Sequence, residues 1–358
     1  MKKKITGINV ARALAVFGMI IVNFKLVFGE SGRAWVRSFA GVFDGKAAAT
    51  FVVLAGMGLA LMTNKALKDG DIGELKILRK KIAVRALFLF AAGLSYIAIW
   101  PADILHYYGV YILAVLLLMR RSGKVALVFA LVLIFIYPLL MVFWDYEAGW
   151  NFISLEYQDF WTLKGFARNL LFNGFHPVVP WTAFMLTGYW FGKQELNNEK
   201  FVKKACWISL IAFFAIQCFS YGAISYLSGG DKEAAAVLRE ILGTSPMPPL
   251  PVYMLNGIAV SFAVISFSIL IARCYKNSKV IDALDKTGQM ALTFYVMHVV
   301  IGMGLAEAVD FSKMGNYPVE FSVLYALVFC LLCVWFAVVW RKYWNTGPLE
   351  WLMKRLTG

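Results

Sequence analysis

Residues 125–143 read VALVFALVLIFIYPLLMVF, a run of apolar and aromatic side chains that contains one proline and no charge. A helix needs about 20 such residues to cross a membrane, because the hydrocarbon core is about 30 Å thick and each residue rises about 1.5 Å. The run therefore predicts a membrane-spanning helix. The other spans of the chain are identified by the same criterion of about 20 mostly apolar residues.

The chain as a whole has the same character. Of its 358 residues, 61% are hydrophobic and 16% are charged, whereas soluble domains are about 45–50% apolar and about 25% charged. This composition excludes a soluble enzyme, a secreted disulfide scaffold and a disordered regulator. The predicted fold class is all-α, a polytopic integral membrane helical bundle that forms a single transmembrane domain over residues 1–358.

About ten segments have the length and apolarity of a transmembrane helix. They are 8–28, 46–64, 83–100, 104–119, 125–143, 178–192, 204–226, 252–272, 289–308 and 320–340. The sixth is short, and the third and fourth are joined by a tight turn at 100–103. With the N-terminus in the cytoplasm, 24 Lys and Arg residues lie on the cytoplasmic side and 8 on the outer side. Because cytoplasmic loops carry the basic excess, both termini are predicted to be cytoplasmic.

The net charge of +14 has the same origin, so no nucleic-acid partner is expected. The five cysteines are odd in number and lie in or beside apolar runs, which predicts packing roles and neither a disulfide framework nor a metal site.

Between the spans, the aromatic segment (144–180) suits either a helix in the membrane interface or a lid over an external cavity. The second external loop, 227–251, ends in prolines that exclude a regular helix there.

Ionisable and polar residues within apolar runs are the candidates for function, since the bilayer makes them costly. Arg12 either extends to the cytoplasmic headgroups or faces inward and pairs with an anion such as a phosphate. Asn23 and Lys25 lie near the other end of the same span. Lys25 is expected to reach the membrane interface.

The histidines are three in number. Asp103 and His106 are three residues apart and share a helix face, which suits either a carboxylate-oriented general base or a polar cluster that caps the helix. His176 precedes the sixth span, in a loop with two prolines. His298 lies in the ninth span one turn after Tyr295, as either a catalytic group or an interhelical hydrogen-bond partner.

Five stretches, in order, resemble the bacterial YeiB-like family of membrane proteins. They are Thr6-Gly-Ile-Asn9-Val-Ala-Arg12, Phe43-Asp44-Gly-Lys to Gly58, Asp103-Ile-Leu-His106-Tyr-Tyr-Gly109, His176-Pro177 through Pro180-Trp181 to Gly192, and Gly288-Gln-Met-Ala-Leu-Thr293-Phe-Tyr295. The family belongs to a transmembrane acyltransferase superfamily, and its best-understood branch resembles heparan-α-glucosaminide N-acetyltransferase. The resemblance implies a bacterial protein of the cytoplasmic (inner) membrane with multiple passes.

The resemblance also implies an activity, which is acyl transfer from cytosolic acetyl-CoA or another acyl-CoA to a sugar, glycolipid or envelope acceptor at the outer face. CoA phosphates are then expected near Arg12 and Arg85 and near the cluster Arg120, Arg121 and Lys124. Substrate contacts are expected from Asn23, Asp44, Trp181 and Tyr295. The expected partners are the lipid bilayer and this acceptor, with a homodimer as an open option.

One departure from the related branch affects the catalytic assignment. That branch has its catalytic histidine in the external loop after the first span, and residues 29–45 contain no histidine. The predicted base is instead His106, oriented by Asp103, while His298 polarises the thioester carbonyl or relays a proton and His176 is a further candidate. A transporter or flippase for a lipid or small amphiphile is the alternative function, because midplane polar residues serve it equally well. A non-enzymatic membrane partner of an envelope protein is a third option.

Overall fold

The computed structural model describes residues 5–152 and 154–358, and most of them are helical. In chain order the helices are α1 (Thr6–Phe28), α2 (Ala34–Gly41), α3 (Lys46–Asp69), α4 (Ile72–Tyr96), α5 (Leu105–Leu118), α6 (Gly123–Phe143), α7 (Leu163–Arg168), α8 (Val178–Gly192), α9 (Glu199–Ser228), α10 (Lys232–Leu242), α11 (Pro251–Cys274), α12 (Lys279–Gly288), α13 (Ala291–Met297), α14 (Gly304–Asp310), α15 (Val319–Tyr343) and α16 (Pro348–Thr357). A short 3₁₀ turn, Phe311–Lys313, follows α14.

Two stretches have π-helical geometry. One, Asn169–Asn173, directly continues α7, and the other, His298–Met303, joins α13 to α14. Between α6 and α7 a minimal antiparallel pair is formed by strands β1 (Trp150–Asn151) and β2 (Glu156–Tyr157), with Trp150 opposite Tyr157. π-Helical turns are rare overall, and those that occur are frequently found at functional sites. Both stretches are therefore candidates for a functional role.

Seven helical stretches among the described residues are long and apolar enough to cross a membrane. They are Thr6–Phe28, Ala34–Asp69, Gly123–Phe143, Glu199–Ser228, Pro251–Cys274, Ala291–Val309 and Val319–Tyr343. The other three predicted spans are helices too, but α5 and α8 have only 14 and 15 residues, and charged residues fill the first half of α4. The chain is therefore an all-α membrane protein in which length and composition single out seven of the ten predicted spans.

The chain folds into two compact units. The first unit comprises Met1–Phe51, Glu195–Leu210 and Val260–Leu356. Within it, α1 packs against α12, α13 and α15. The Phe28 ring lies edge-on to Tyr325 at 5.3 Å between centroids, and Ser322 donates a hydrogen bond to the carbonyl oxygen of Gly29 at 3.0 Å. Helix α1 is thus the centre of the first unit.

The second unit comprises Val52–Gln194, Ile211–Ala259 and Thr357–Gly358. In it α4 packs along α5, and α8 packs against α5 and α6. Nearly every side chain of α8 is buried. A helix that is apolar on all sides is stable only when it is surrounded by protein or lipid, and α8 is surrounded by its own unit. This explains why it is shorter than a transmembrane helix needs to be.

The aromatic segment (144–180) does not form the single interfacial helix considered above. It folds as the β1–β2 pair, then α7 and the first π stretch. A continuous helix is interrupted there because Gly149 and Leu155 adopt positive φ angles, a conformation outside the right-handed helix. In the loop 227–251, α10 precedes an irregular stretch that contains the prolines, as the sequence predicts.

Candidate functional site

The connection between α4 and α5 places Asp103 against His106. The Asp103 Oδ2 atom lies 3.2 Å from His106 Nδ1 and also accepts a hydrogen bond from the backbone N–H of Leu105 at 2.8 Å. Both side chains are completely buried. The two sequence interpretations are therefore compatible, since one carboxylate caps the first turn of α5 and orients the imidazole.

The other ring nitrogen of His106 is the chemically important one. Nε2 is buried and has no hydrogen-bond partner among the described residues. A carboxylate accepts hydrogen bonds, so Nδ1 carries the proton facing Asp103 and Nε2 presents its lone pair. An unpartnered buried polar atom costs about 1–3 kcal/mol, which the fold tolerates here. That arrangement is suited to accepting a proton from a bound substrate.

A glycine on α4 makes room for this pair. A Cβ atom at Gly93 would overlap the backbone nitrogen of His106 and would lie 2.7 Å from Asp103 Oδ2. Real Cβ atoms do not approach so closely, so a side chain at position 93 would displace the start of α5. The close packing of α4 on α5 therefore fixes the position of the imidazole.

Two further predicted site residues surround the pair. The His176 ring contacts Trp181 edge-on at 4.5 Å and lies 6.1 Å from the Tyr107 ring, which itself lies 3.9 Å from the His106 ring. His176 Nδ1 and Trp181 Nε1 are buried without partners among the described residues. Burial, and to a lesser extent the neighbouring His106, lowers the pKa of His176 to about 3. His176 is therefore a neutral imidazole at physiological pH.

A cavity of about 330 Å³ lies beside this cluster. Its wall is mainly the aromatic segment (144–180), with Trp150, Tyr157, Phe160, Trp161, Glu156, Gln158, Asn169 and Phe175 among the lining residues. Two of these also touch the buried histidine cluster. Phe160 faces the His106 ring edge-on at 6.3 Å, and Asn169 Oδ1 accepts a hydrogen bond from Tyr107 at 2.5 Å. One layer of side chains thus separates the cavity from His106.

The cavity wall is held by a charged clamp. Arg168 donates to both carboxylate oxygens of Asp159, at 2.7 and 2.8 Å, and to the hydroxyl of Tyr157 at 2.7 Å. The Tyr157 hydroxyl donates in turn to Asn173 Oδ1 at 2.7 Å. Here one guanidinium nitrogen, Nη2, contacts both carboxylate oxygens, and hydrogen bonds between ionised groups are among the stronger polar contacts in proteins, so the wall is a positioned element.

The first unit contains a separate buried histidine. Asn23 Nδ2 lies 2.9 Å from His298 Nε2. His298 is the first residue of the second π stretch. An amide N–H donates, so His298 Nε2 is the acceptor. The Tyr295 ring lies 5.5 Å from the His298 ring and stacks on Phe51 at 6.5 Å. The interhelical hydrogen bond that was one interpretation of His298 is thus present, with Asn23 as the partner.

Arg12 faces inward within the first unit. Its Nη1 atom donates to Asn9 Oδ1 at 2.9 Å, and Asn9 Nδ2 donates to Asp285 Oδ1 at 2.8 Å. Gln289 donates to the other carboxylate oxygen of Asp285 at 2.8 Å and accepts from Arg341 at 3.0 Å. This Arg12 network therefore connects two guanidinium groups to the Asp285 carboxylate through Asn9 and Gln289.

Lys25 and Asp44 form an ion pair that gives Lys25 a partner within the first unit. Lys25 Nζ lies 2.9 and 2.8 Å from the two carboxylate oxygens of Asp44, and Lys25 is buried. The buried ammonium is thus compensated by the Asp44 carboxylate. The same contact occupies Asp44, which sequence analysis proposed as a substrate contact.

The predicted site residues thus form two groups. Asp103, His106, His176 and Trp181 lie together in the second unit, whereas Arg12, Asn23, Asp44, Tyr295 and His298 lie in the first. The remaining predicted CoA contacts, Arg85, Arg120, Arg121 and Lys124, also belong to the second unit. Among the described residues, no three His, Cys, Asp or Glu side chains are grouped as metal ligands.

Sequence reasoning missed Tyr107, Asn169, Asp285 and Gly93. Two of these residues could have been found from the family-like stretches. Tyr107 lies inside the third stretch, and Asp285 lies three residues before Gly288, which begins the fifth. A Cβ at Gly288 would overlap the carbonyl oxygen of Asn9. The first and fifth stretches are therefore in contact, which their order along the chain does not reveal.

Comparison with known proteins identifies the family of the chain. Residues 4–221, more than half of the chain, match the family described as heparan-alpha-glucosaminide N-acetyltransferase, catalytic. The chain belongs to this family. Residues 188–358 match a second family, described as a protein of unknown function (DUF418), and the two matches overlap at 188–221. Together they identify a YeiB-like protein related to the heparan-alpha-glucosaminide N-acetyltransferase family.

A curated relative from Bacillus subtilis (strain 168) aligns with the chain over nearly its whole length. The uncharacterized protein YxaH is 20% identical to this chain in an alignment 410 positions long. The alignment includes 99% of this chain and 94% of the relative. No solved structure matches the chain. Membership of the heparan-alpha-glucosaminide N-acetyltransferase family indicates a membrane acetyltransferase-like function.

Proposed function

We propose that this membrane protein transfers an acyl group, most simply acetyl, from cytosolic acyl-CoA to a sugar, glycolipid or envelope acceptor at the outer face. Membership of the family supports the reaction class. The observation that carries the assignment of residues is the buried Asp103–His106 pair, whose imidazole has an unpartnered Nε2 atom and lies one side-chain layer from a cavity of about 330 Å³.

In this proposal His106 is the general base. When the acceptor binds, the side-chain layer that includes Phe160 moves aside, and Nε2 removes the proton from the acceptor hydroxyl or amine while the acceptor oxygen or nitrogen bonds to the acyl carbon. The carbon–sulfur bond then breaks, and the imidazolium returns the proton to the leaving thiolate. Asp103 holds the ring and stabilises its charged form. Neutral His176 does not repel that charge.

The cavity has the composition of a site for a ring-shaped polar molecule. Aromatic faces present flat surfaces with a negative quadrupole, against which the C–H face of a sugar can stack. Glu156, Gln158 and Asn169 add groups that form hydrogen bonds to hydroxyls or an amine. A few convergent polar groups in a mainly apolar pocket are typical of small-molecule sites.

The donor side of the proposal rests on the Arg12 network. Acyl-CoA carries several phosphate charges, and arginine binds phosphate bidentately. The network supplies two guanidinium groups, the side-chain type that binds phosphate, so the residues present are suited to an anionic donor. In the second unit, Arg85, Arg120, Arg121 and Lys124 are proposed as further phosphate contacts.

A transporter or flippase is the second candidate, and one observation favours it. The helical stretch Ala291–Val309 is interrupted by six π-helical residues that begin at His298. Irregular helices with polar residues inside the membrane often line substrate pathways. This interruption serves a transported amphiphile as well as an acyl donor.

The deciding experiment is calorimetric binding of acetyl-CoA and free CoA to the detergent-purified protein. We expect saturable binding that Arg12→Ala weakens about tenfold, the effect of about 1.4 kcal/mol. The matched control is Arg33→Ala, which removes an exposed guanidinium and should leave the affinity unchanged. His106→Ala should retain binding but reduce acetyl transfer to a membrane-lipid extract by about 10²–10⁴.

The opposite result would redirect the assignment. If a folded sample binds neither acetyl-CoA nor a longer acyl-CoA, the proposed donor site does not exist. Movement of a fluorescent lipid between leaflets of liposomes containing the protein would then support the transporter.

A further inference from the structure

Four residues separate the C-terminal helix α16 from the membrane-spanning helix α15, which ends at Tyr343. The turn between them is fixed, because Trp340 Nε1 donates to the carbonyl oxygen of Thr346 at 2.9 Å. Tyr343 and Trp344 are exposed at this end of α15. Exposed aromatic residues at the end of a span mark the headgroup level of the bilayer. Helix α16 therefore starts at that level.

The outward face of α16 is apolar and basic. Trp351, Leu352 and Leu356 are 48%, 39% and 58% exposed, and on a helix they lie on one side together with Arg355, while the exposed Lys354 lies at the edge of that side, one turn after Glu350. The Arg355 guanidinium lies over the Trp351 ring, 5.2 Å from its centroid. An amphipathic helix with tryptophan, leucine and basic residues on its free face is typical of membrane-surface helices.

The opposite face of α16 is attached to the intramembrane helix α13. Glu350 accepts hydrogen bonds from the backbone N–H groups of Leu292 and Thr293 at 2.8 and 3.1 Å. The Thr293 hydroxyl donates to the same carboxylate at 2.6 Å and accepts from the backbone N–H of Leu349 at 3.1 Å. The first N–H groups of a helix have no partner within it, so Glu350 supplies the cap that α13 lacks.

We propose that α16 is a lipid-bound latch: it lies in the headgroup region of the leaflet where α15 ends, binds anionic phospholipid, and holds the start of α13 through Glu350. The occupant follows from two observations. The apolar face is continuous with the aromatic end of α15, which is itself at the interface, and Lys354 and Arg355 complement anionic headgroups. Helix α13 leads into the π stretch at His298, so anionic lipid stabilises the arrangement around the Asn23–His298 contact.

The test is amide hydrogen exchange of the full chain in nanodiscs of phosphatidylcholine, with and without about 30% phosphatidylglycerol, which gives the bilayer an anionic surface. We expect exchange of residues 348–357 and 291–297 to slow about tenfold with phosphatidylglycerol, which corresponds to about 1.4 kcal/mol. The double substitution K354Q/R355Q should remove most of that difference. The control K276Q/K279Q removes the same charge elsewhere in the first unit and should preserve it.

The Glu350→Gln variant separates lipid binding from the latch. It keeps the basic and aromatic face, so the lipid effect on residues 348–357 should persist while the effect on residues 291–297 is lost. Equal wild-type exchange in the two lipids would overturn the proposal, as would an equal loss of the effect in the control pair. Retention of both lipid effects in Glu350→Gln would overturn the latch.

Discussion

Asp103 holds His106 through a contact of 3.2 Å between Oδ2 and Nδ1, and the same oxygen binds the backbone N–H of Leu105 at 2.8 Å. One carboxylate therefore determines both the start of α5 and the protonation pattern of a buried imidazole. Substitution separates the cap from the charge, since an asparagine can place its carbonyl oxygen at the same position but carries no negative charge.

Asp103→Asn is expected to reduce acetyl transfer by about 10²–10⁴. The amide can still accept the Leu105 hydrogen bond, but it no longer stabilises the imidazolium that forms during proton transfer. Asp103→Ala also loses the cap, so its free energy of unfolding should fall by about 1–3 kcal/mol. Transfer rates and thermal unfolding of the two variants check this. Full activity of Asp103→Asn would exclude a catalytic Asp103–His106 pair.

Gly56 and Gly58 on α3 form a matched pair for testing helix packing. A Cβ at Gly56 would overlap the carbonyl oxygen of Met185 on α8, whereas a Cβ at Gly58 meets nothing within 4 Å. Gly56→Ala should therefore destabilise the protein by about 1–3 kcal/mol. Gly58→Ala should leave stability unchanged or raise it by up to about 1 kcal/mol, because alanine favours helix.

Thermal unfolding in one detergent compares the two alanine variants directly. The close approach of α3 and α8 requires Gly56→Ala to unfold at the lower temperature. Equal unfolding temperatures would show that α8 does not pack on α3 at this position.

His176 should make the stability depend on pH. Its pKa is lowered to about 3 in the folded protein from an ordinary value of 6.5, so below about pH 6.5 the unfolded chain binds a proton that the folded chain does not. Stability contributed by neutral His176 is present above pH 6.5 and is lost as the pH falls toward 3. The slope is at most about 1.4 kcal/mol per pH unit.

Denaturation midpoints at pH 7.5 and pH 5 measure this effect. The wild type should lose more stability between the two values than His176→Gln, whose side chain does not titrate. The same loss in both proteins would mean that His176 is protonated in the folded state, which contradicts the burial of its Nδ1 atom.

Arg168→Gln should loosen the wall of the cavity. The substitution removes both bonds to Asp159 and the bond to Tyr157, and hydrogen bonds to charged groups are each worth about 1.5–3 kcal/mol. We expect amide exchange of residues 156–161 to accelerate about tenfold and the KM for the acceptor to rise, with acetyl-CoA affinity unchanged. Lys164→Gln, an exposed change on the same helix, is the control. A reduced affinity for acetyl-CoA would assign the cavity to the donor instead.

The sequence by itself determined the class of the protein. Runs such as 125–143 predict transmembrane helices because only a helix satisfies its backbone hydrogen bonds within a single segment in lipid. The apolar composition of α8 could not show that this helix is enclosed by protein. A helix that is apolar on all sides has the same sequence pattern whether protein or lipid surrounds it. Nor could the sequence pattern predict the β1–β2 pair, which depends on positive φ angles at single residues.

The tertiary structure decided which polar residues meet. The spacing of Asp103 and His106 predicted their contact because residues three apart share a helix face. Asn23 and His298 are separated by 275 positions, as Asn9 and Asp285 are by 276, and no local pattern encodes such a contact. The same holds for Lys25, whose burial depends on Asp44 from outside its own helix. Side-chain partners between distant segments arise from packing, and packing is a property of the whole fold.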